Sequence, residues 1–437
     1  MKIFFLTIAL LFPSIMTAQA VLSLEECIRT GLKNNYSVRI IRNEEAISTN
    51  NATLGAAGAL PSIDLSGGYN GNVYNYNYDY KDGTTGTEKN VNSESSNIGV
   101  NLNWTIFDGF GIQADYERLK ELKSMGELNT RIAVENLVAD IAAEYYTFIR
   151  QRIRLNNLRS AVRLSRERLR IVEERYIIGS MSRLDLQQAK VDFNADSSQL
   201  LTQYENVNSS KIRLNELMGL DSVNTPLEVK DTVVIGDIIL DHDALWAKTL
   251  ANNSSLIASH KNLTLSEIDL KKVRSQNYPY LRLNAGYGYT GNRYETGTID
   301  LQRRLGANYG VTLGFNVFDG FNRRREQQNA KTRINTGELR VQEMELALKA
   351  NLSNLWMAYR NNLDLLQLEK ENLIASQEHY EIAIERYKLG DLSGIELREA
   401  QNNLLQAEER RSLAEYNTKL CEISLLQLSG QVMKYVE

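Results

Sequence analysis

The chain is written twice, and that constrains its fold more than any other feature. WTIFDGFG, from Trp104 to Gly111, returns as FNVFDGFN, from Phe315 to Asn322. The offset of 211 residues between Phe107 and Phe318 holds onward: Arg175-Tyr176 with Arg386-Tyr387, Gly179 with Gly390, Ser182 with Ser393, Asp185 with Glu396, Gly219 with Gly430. Upstream the offset is 218, pairing Asn34-Asn35 with Asn252-Asn253, Pro61 with Pro279 and Gly68-Tyr69 with Gly286-Tyr287. The first copy therefore carries seven extra residues between Tyr69 and Trp104. So long a period marks one duplication and not a solenoid. Each copy reads in the same order: a helix (24–57 and 241–276), two alternating strands, a very long helix, a tight turn and a second helix.

The strand segments alternate cleanly. Ile98, Val100, Leu102, Trp104 and Ile106 interleave with Gly99, Asn101, Asn103 and Thr105. Tyr309, Val311, Leu313, Phe315 and Val317 interleave with Gly310, Thr312, Gly314 and Asn316 over 307–317. Period two gives one apolar and one polar face. A half-buried soluble sheet alternates too. Here the polar face is Asn, Gly and Thr instead of charge, each run has the length a tilted membrane strand needs, and aromatics gather at the ends, as at a bilayer interface. Residues 74–96 and 290–306 read as exposed loops.

Only four prolines occur, and none lies between Ile112 and Ile178, so nothing forbids a continuous helix of about 100 Å at 1.5 Å per residue. Val134, Val138, Ile141, Tyr145, Phe148, Arg152 and Leu155 form a heptad seam that continues through Leu158, Val162, Ser165, Leu169, Val172 and Tyr176. Gly179 and Gly390 stop the long helices, and Ser182-x-x-Asp185 and Ser393-x-x-Glu396 restart helix with capping boxes. The expected organisation is a signal peptide over 1–20, a first repeat over 21–219 (strands about 61–107, helical hairpin about 112–218), a connecting segment over 220–240 with a short strand or two, a second repeat over 241–430 (strands about 279–318, hairpin about 322–429), and a C-terminal tail over 431–437. The first twenty residues have the basic start, apolar core and Ala18-Gln19-Ala20 cleavage site of an export signal.

Four strands in a bilayer leave two unpaired edges, each exposed backbone group costing several kcal/mol, and closed membrane barrels begin at about eight strands. If these strands span a membrane, several chains share one barrel. The repeated Phe-Asp-Gly-Phe then marks where strand becomes long helix: Asp108 and Asp319 as caps or Asx turns, Gly109 and Gly320 at positive φ, Phe107 and Phe318 at the membrane boundary.

In this order of motifs the chain resembles the TolC-like outer-membrane factor family over nearly its whole mature length. The resemblance rests on LKNNYSV and LANNSSL, LPSIDL and YPYLRL, IFDGF and VFDGF, and the tips RYIIGSMSRLDLQQA and RYKLGDLSGIELREA. Where family members often have proline after the paired Asn, this chain has Tyr36 and Ser254. The resemblance implies a mainly α fold with membrane β: duplicated long helical hairpins forming a trimeric α-barrel, and four strands per chain in a shared twelve-stranded outer-membrane β-barrel. It implies an exit duct for a tripartite efflux pump or type I secretion system, partnered by a periplasmic adaptor and, through it, an inner-membrane transporter. It places Gly179, Ser182, Gly390 and Ser393 at adaptor-contacting tips, and Tyr387, Glu396, Glu399 and Asp185 at a periplasmic constriction. Asp185 and Glu396 are equally readable as caps alone.

Other classes find little support. A net charge of −4 lacks the basic stripe of a nucleic-acid binder. GYGYTG, Gly286 to Gly291, fits a dinucleotide fingerprint but lies inside an alternating strand with no helix after it. The three histidines have no metal-ligand spacing and no nucleophile motif appears, so neither cofactor nor enzymatic activity is expected. The remaining alternative is an outer-membrane stalk that adheres through its loops. Cys27 and Cys421 sit at opposite ends of the chain and could be unpaired.

Overall fold

The computed structural model describes residues 21–231 and 240–436. The export signal and part of the connecting segment lie outside the described residues. The order is β1 (Val21–Leu22), α1 (Leu24–Asn34), α2 (Tyr36–Asn51), β2 (Ser62–Asp79), β3 (Thr85–Phe107), α3 (Gly111–Ile177), α4 (Arg183–Leu217), β4 (Glu228–Val229), α5 (His242–Asn252), α6 (Ser254–Ser275), β5 (Tyr280–Tyr294), β6 (Leu301–Gly314), α7 (Asn322–Leu389) and α8 (Gly394–Leu428). No described helix is long and apolar enough to cross a membrane. Two compact units emerge: one holds residues through Arg42, Thr130–Ser254 and Glu345 onward, the other Asn43–Asn129 and Ser255–Met344. Each unit draws on both repeats.

The second unit contains an antiparallel sheet in the order β2-β3-β5-β6. Its register collects the alternation into faces. Leu65, Val100, Tyr287 and Ala307 form one cross-strand row, and Ile63, Leu102, Ala285 and Tyr309 another. The opposite face carries rows such as Asp64-Asn101-Gly286-Asn308 and Ser66-Gly99-Gly288-Gly306. Among the described residues nothing covers the apolar face: Leu65 is 75% exposed, Leu313 73% and Tyr309 87%. β2 and β6 each bond to a neighbour on one side only.

Three expectations need correction here. Residues 74–96 are not a loop: β2 and β3 pair through Asp79 and Thr85, and only Tyr80–Thr84 turns. The asparagines in YNYNYDY suggested a loop, but tyrosine at every second position is a strand pattern, and the Tyr74, Tyr76, Tyr78 and Tyr80 rings follow one another at centroid spacings of 5.8, 5.6 and 6.0 Å. The extra residues thus lengthen a hairpin. Likewise 290–306 is mostly strand, with a loop only over 295–300. Conversely, β6 stops at Gly314, short of Val317, because β5 begins at Tyr280, directly after Pro279, and Tyr280 opposite Gly314 is their last pair.

The first unit holds the hairpin tips and the larger core. α3 and α7 are unbroken over 67 and 68 residues. In α3 the seam residues Val138, Ile141, Tyr145, Phe148, Leu155, Leu158, Val162, Ser165 and Val172 are buried, whereas Tyr176 is exposed. Cys27 and Ile28 of α1 pack on this seam with Leu214 of α4 and Met218 just beyond its end. Both cysteines are free, and burial pushes the Cys27 thiol up to about 12. In the connecting segment β4 pairs in parallel with β1. The C-terminal tail is also packed: Val432 is fully buried, and the Tyr435 hydroxyl donates to Glu422 Oε1 at 3.0 Å, which also accepts from Lys419 Nζ at 2.8 Å.

The opening helix of each repeat, expected whole, is two helices broken at the second Asn of the pair. Asn35 leaves helical geometry at ψ 126°, and its Oδ1 accepts from the backbone of Ser37 and Val38, restarting the helix without proline. Its Nδ2 donates to the Leu217 carbonyl, as Asn253 Nδ2 does to Leu428. Gly219 (φ 64°) and Gly430 (φ 67°) lie against these breaks so closely that a Cβ would meet Asn34 C at 2.8 Å or Asn252 O at 2.7 Å. Only glycine serves a positive φ at that separation.

Candidate functional site

In the first unit, both hairpin tips are built alike. α3 ends as Gly179 N–H donates to Tyr176 O at 3.0 Å and Ser180 N–H to Arg175 O at 2.8 Å, with Gly179 at φ 78°. α7 ends likewise at Gly390, φ 83°, through bonds to Tyr387 O and Arg386 O. This double bond pattern satisfies carbonyls a helix end would otherwise leave open. Two residues on, Ser182 Oγ accepts from Asp185 N–H at 3.1 Å while Asp185 Oδ2 accepts from Ser182 N–H at 3.1 Å. Ser393 and Glu396 repeat the exchange at 3.2 and 2.9 Å. The Ser182 hydroxyl and backbone bonds hold the exposed Asp185 carboxyl below the usual range, and those of Ser393 do the same for Glu396. Both carboxylates thus face solvent as caps. Glu399 is exposed one turn further along α8.

Tyr387 is different. It is 3% exposed, packed with Ala383, Leu397 and Ala400. The Arg175 guanidinium lies over its ring at 5.6 Å. Within one protomer Tyr387 is therefore an inter-hairpin contact and not a free lining residue.

A charged network missed in the sequence lies beside it. Arg398 of α8 grips Asp196 of α4 with its two terminal guanidinium nitrogens, Nη1 and Nη2, at 2.7 and 2.6 Å. Asp196 also accepts from Ser165 of α3. Arg168 pairs with Asp192 at 2.8 Å, both largely buried. Gln401 of α8 donates to Ala161 O of α3 at 3.3 Å. The Arg398–Asp196 and Gln401–Ala161 bonds tie the second hairpin to the first, while Ser165–Asp196 and Arg168–Asp192 join α3 to α4 within the first. A signal was available: Leu186, Ala189, Asp192, Asp196 and Gln203 step by threes, fours and a seven along one buried stripe of α4. Carboxylates in such a stripe require basic partners.

In the second unit, both FDGF segments form the same junction. Asp108 Oδ1 accepts from Ile112 N–H at 3.0 Å, and Asp319 Oδ2 from Arg323 N–H at 2.8 Å. Gly109 and Gly320 take φ of 75° and 69°, and the following Phe110 and Phe321 are also positive. Phe107 meets Phe110 edge to face at 5.2 Å, and Phe318 meets Phe321 at 5.4 Å. Arg323 is an addition of the second copy: it pairs with Asp319 at 3.2 Å and donates to Gln276 O and Val317 O. No group of metal-ligating side chains occurs among the described residues.

Comparison with known proteins adds to this geometry. The sequence model of a family described as "outer membrane efflux protein" matches residues 28–220 and 245–431. The outer membrane efflux protein BepC of Brucella suis biovar 1 is 20% identical over 433 residues, covering 97% of this chain and 89% of its own. The proteases secretion protein PrtF of Dickeya chrysanthemi is 20% identical over 405 residues, 84% of this chain and 86% of its own. The solved CmeC outer membrane channel of Campylobacter jejuni superposes with a TM-score of 0.80 at 16% identity, over 93% of this chain and 85% of that one.

Proposed function

The chain belongs to the outer membrane efflux protein family, and from that premise we propose that it is the outer-membrane exit duct of a tripartite efflux pump or type I secretion system. The observation that carries the reading is the sheet. Four strands of 14 to 23 residues present an uncovered apolar face on one side and mainly Asn, Gly, Ser and Thr, with Asp64, Arg282 and Arg304, on the other, with both edges open. An apolar outside and a small polar inside suit lipid around a water-filled lumen. Open edges in lipid demand partners, and three copies supply twelve strands in a closed homotrimer. α7 supports self-association too: Leu346, Met357, Leu368 and Ile374 are 63–70% exposed in the single chain.

On this reading the tips bearing Gly179, Ser182, Gly390 and Ser393 face a periplasmic adaptor, which links the duct to an inner-membrane transporter. Asp185, Glu396 and Glu399, exposed near the tips, gather around the three-fold axis as an acidic constriction, and Tyr387 holds the second hairpin to the first. The FDGF junctions seat the sheet at the membrane boundary.

Electron microscopy of the detergent-purified mature protein tests the assembly. A three-fold particle with a central channel is expected, and a monomer or dimer without one overturns the duct. In planar bilayers, Glu396→Gln with Glu399→Gln should reduce cation preference. Unchanged selectivity removes these residues from the constriction while leaving the duct intact.

A further inference from the structure

In the second unit the β2–β3 hairpin outgrows its sheet, and its faces change character where it does. β5 follows β3 only to Tyr294 opposite Ser93, after which the Asn92 N–H donates to Glu295 Oε2 at 2.7 Å. β2 and β3 run on as a pair, from Tyr74 opposite Val91 to Asp79 opposite Thr85. Below that point odd-numbered residues of β2, such as Ile63, Leu65 and Val73, lie on the apolar face, and even-numbered ones, such as Ser66, Asn70 and Asn72, on the polar face. Tyr74 keeps that register and so continues the polar face. A bulge follows, in which Asn75 Oδ1 accepts from Asn90 N–H at 2.7 Å, and Tyr76 resumes pairing opposite Glu88. Ring contacts from Tyr74 through Tyr76 and Tyr78 to Tyr80 hold all four tyrosines on this one face. A Cβ on Gly86, opposite Tyr78, would meet the Tyr80 and Tyr78 rings at 3.3 and 3.7 Å, and Val91, opposite Tyr74, is buried. Asn77 opposite Thr87 and Asp79 opposite Thr85 occupy the other face, exposed.

The hairpin therefore inverts the sheet. The side continuous with the apolar rows turns polar, and the side continuous with the Asn, Gly and Ser rows turns aromatic. The inversion falls where a bilayer would end. From Leu313 to Arg303 the apolar face of β6 climbs about 25 Å at a strand tilt of about 40°. Arg303, and in the next row the Glu94–Arg293 pair, close that apolar band. Above it water meets the outer face, which suits Asn, Asp and Thr, and the tyrosines turn inward.

We propose that the tyrosine face of this hairpin is a self-contact surface: three copies of the chain bring Tyr74, Tyr76, Tyr78 and Tyr80 together over the outer mouth and narrow it. This surface depends on the shared barrel proposed above. Twelve strands spaced about 4.8 Å apart and tilted about 40° enclose a ring of roughly 12 Å radius. The free arm from Tyr74 to Asp79 is about 20 Å long, more than that radius, so a modest inward lean carries its rings to the three-fold axis. A two-stranded ribbon alone is marginal in water and needs a surface to pack on. In the single chain Tyr74 is 47% exposed and Tyr80 54%, and the matching faces of two further copies bury such rings against one another.

Disulfide trapping in the detergent-purified mature protein provides the test. Tyr76→Cys, Tyr78→Cys and Tyr80→Cys, each made singly so that three tyrosines remain, are compared with Asn77→Cys and Asp79→Cys on the opposite face. Wild type is the blank for Cys27 and Cys421. Oxidation should link two of the three copies in the tyrosine set, so that about two thirds of the chain runs as covalent dimer, and should leave the opposite-face set monomeric on a denaturing gel. A trimeric particle in which the tyrosine set stays unlinked, as it would if the rings faced a surface glycan, overturns the self-contact and leaves the shared barrel standing. Equal linking of both sets in a trimer does the same. A particle that is not trimeric overturns the shared barrel and this surface with it.

Discussion

The Asp196–Arg398 pair sets a quantitative test of how the two hairpins are held. Asp196 has a side chain 2% exposed and Arg398 one 16% exposed, and two bonds of 2.6 and 2.7 Å join them. Deleting one partner of a buried pair leaves the other charged and unmatched, at a cost of roughly 3–5 kcal/mol. Replacing both by apolar groups removes the charge together with its need, and is often neutral or better. Asp196→Ala and Arg398→Met should therefore each destabilise by about 3–5 kcal/mol, and the double variant by less than either alone, a coupling of several kcal/mol. Asp196→Ala also removes one acceptor of the Ser165 hydroxyl, which keeps the Ala161 carbonyl at 3.0 Å. The assay is a denaturant titration in detergent with reversibility checked, repeated at low and high salt. The exposed Arg170–Glu174 pair is the control: its contribution should be small and fade with salt, whereas the buried pair should keep its value. Single-variant effects that simply add, or an Asp196→Ala cost within about 0.5 kcal/mol of zero, would refute the reasoning.

Other expectations are as direct. Gly219→Ala and Gly430→Ala force a Cβ into a positive-φ residue lying against the Asn-Asn break, so each should cost more than about 1–2 kcal/mol, read by the same titration. Asp319→Ala should cost more than Asp108→Ala, because it removes the junction cap, worth about 1 kcal/mol, and also unpairs the half-buried Arg323. The acidic caps set a pH dependence of known sign. Their folded pKa values lie below the ordinary ones, so their contribution is complete above the ordinary carboxylate pKa and is lost as pH falls through the lowered values. In the proposed constriction, cation preference from Glu396 should accordingly persist at a pH where an ordinary glutamate is already half protonated. Loss at the ordinary value would show that the Ser393 bonds do not hold in the assembled channel.

Much of this architecture was legible because its signals are local. A Schellman turn, a capping box and an Asx-capped junction each occupy a handful of consecutive residues, and the duplication displays each of them twice. Alternation likewise fixed which face of each strand is apolar. Composition was the weaker guide: the polar residues of YNYNYDY suggested a loop, yet the tyrosine alternation made it strand. The break at Asn35 was harder to see, since its cause lies 182 residues away, where the Leu217 carbonyl takes its side-chain amide. The inter-hairpin charges belong to the same category. Asp196 and Arg398 are 202 residues apart and do not stand at corresponding positions of the two repeats, so the internal repeat could not reveal them.

That asymmetry bears on how a duplicated chain becomes a channel wall. Two identical hairpins side by side would present the same faces, and nothing would fix which stands inside. Here the copies agree wherever geometry is local, at the tips, the junctions and the Asn-Asn breaks. They differ where one hairpin meets the other: α3 carries a buried apolar seam, while α7 leaves Leu346, Met357, Leu368 and Ile374 uncovered and α8 offers Arg398 to a carboxylate of α4. The exposed apolar positions of α7 are the proposed contact with a further copy. If they are the protomer interface, Met357→Glu with Leu368→Glu should yield folded monomer, with the Asp196–Arg398 coupling retained because that pair is internal to one chain. A trimer unaffected by two buried charges at these positions would place the interface elsewhere on the hairpins.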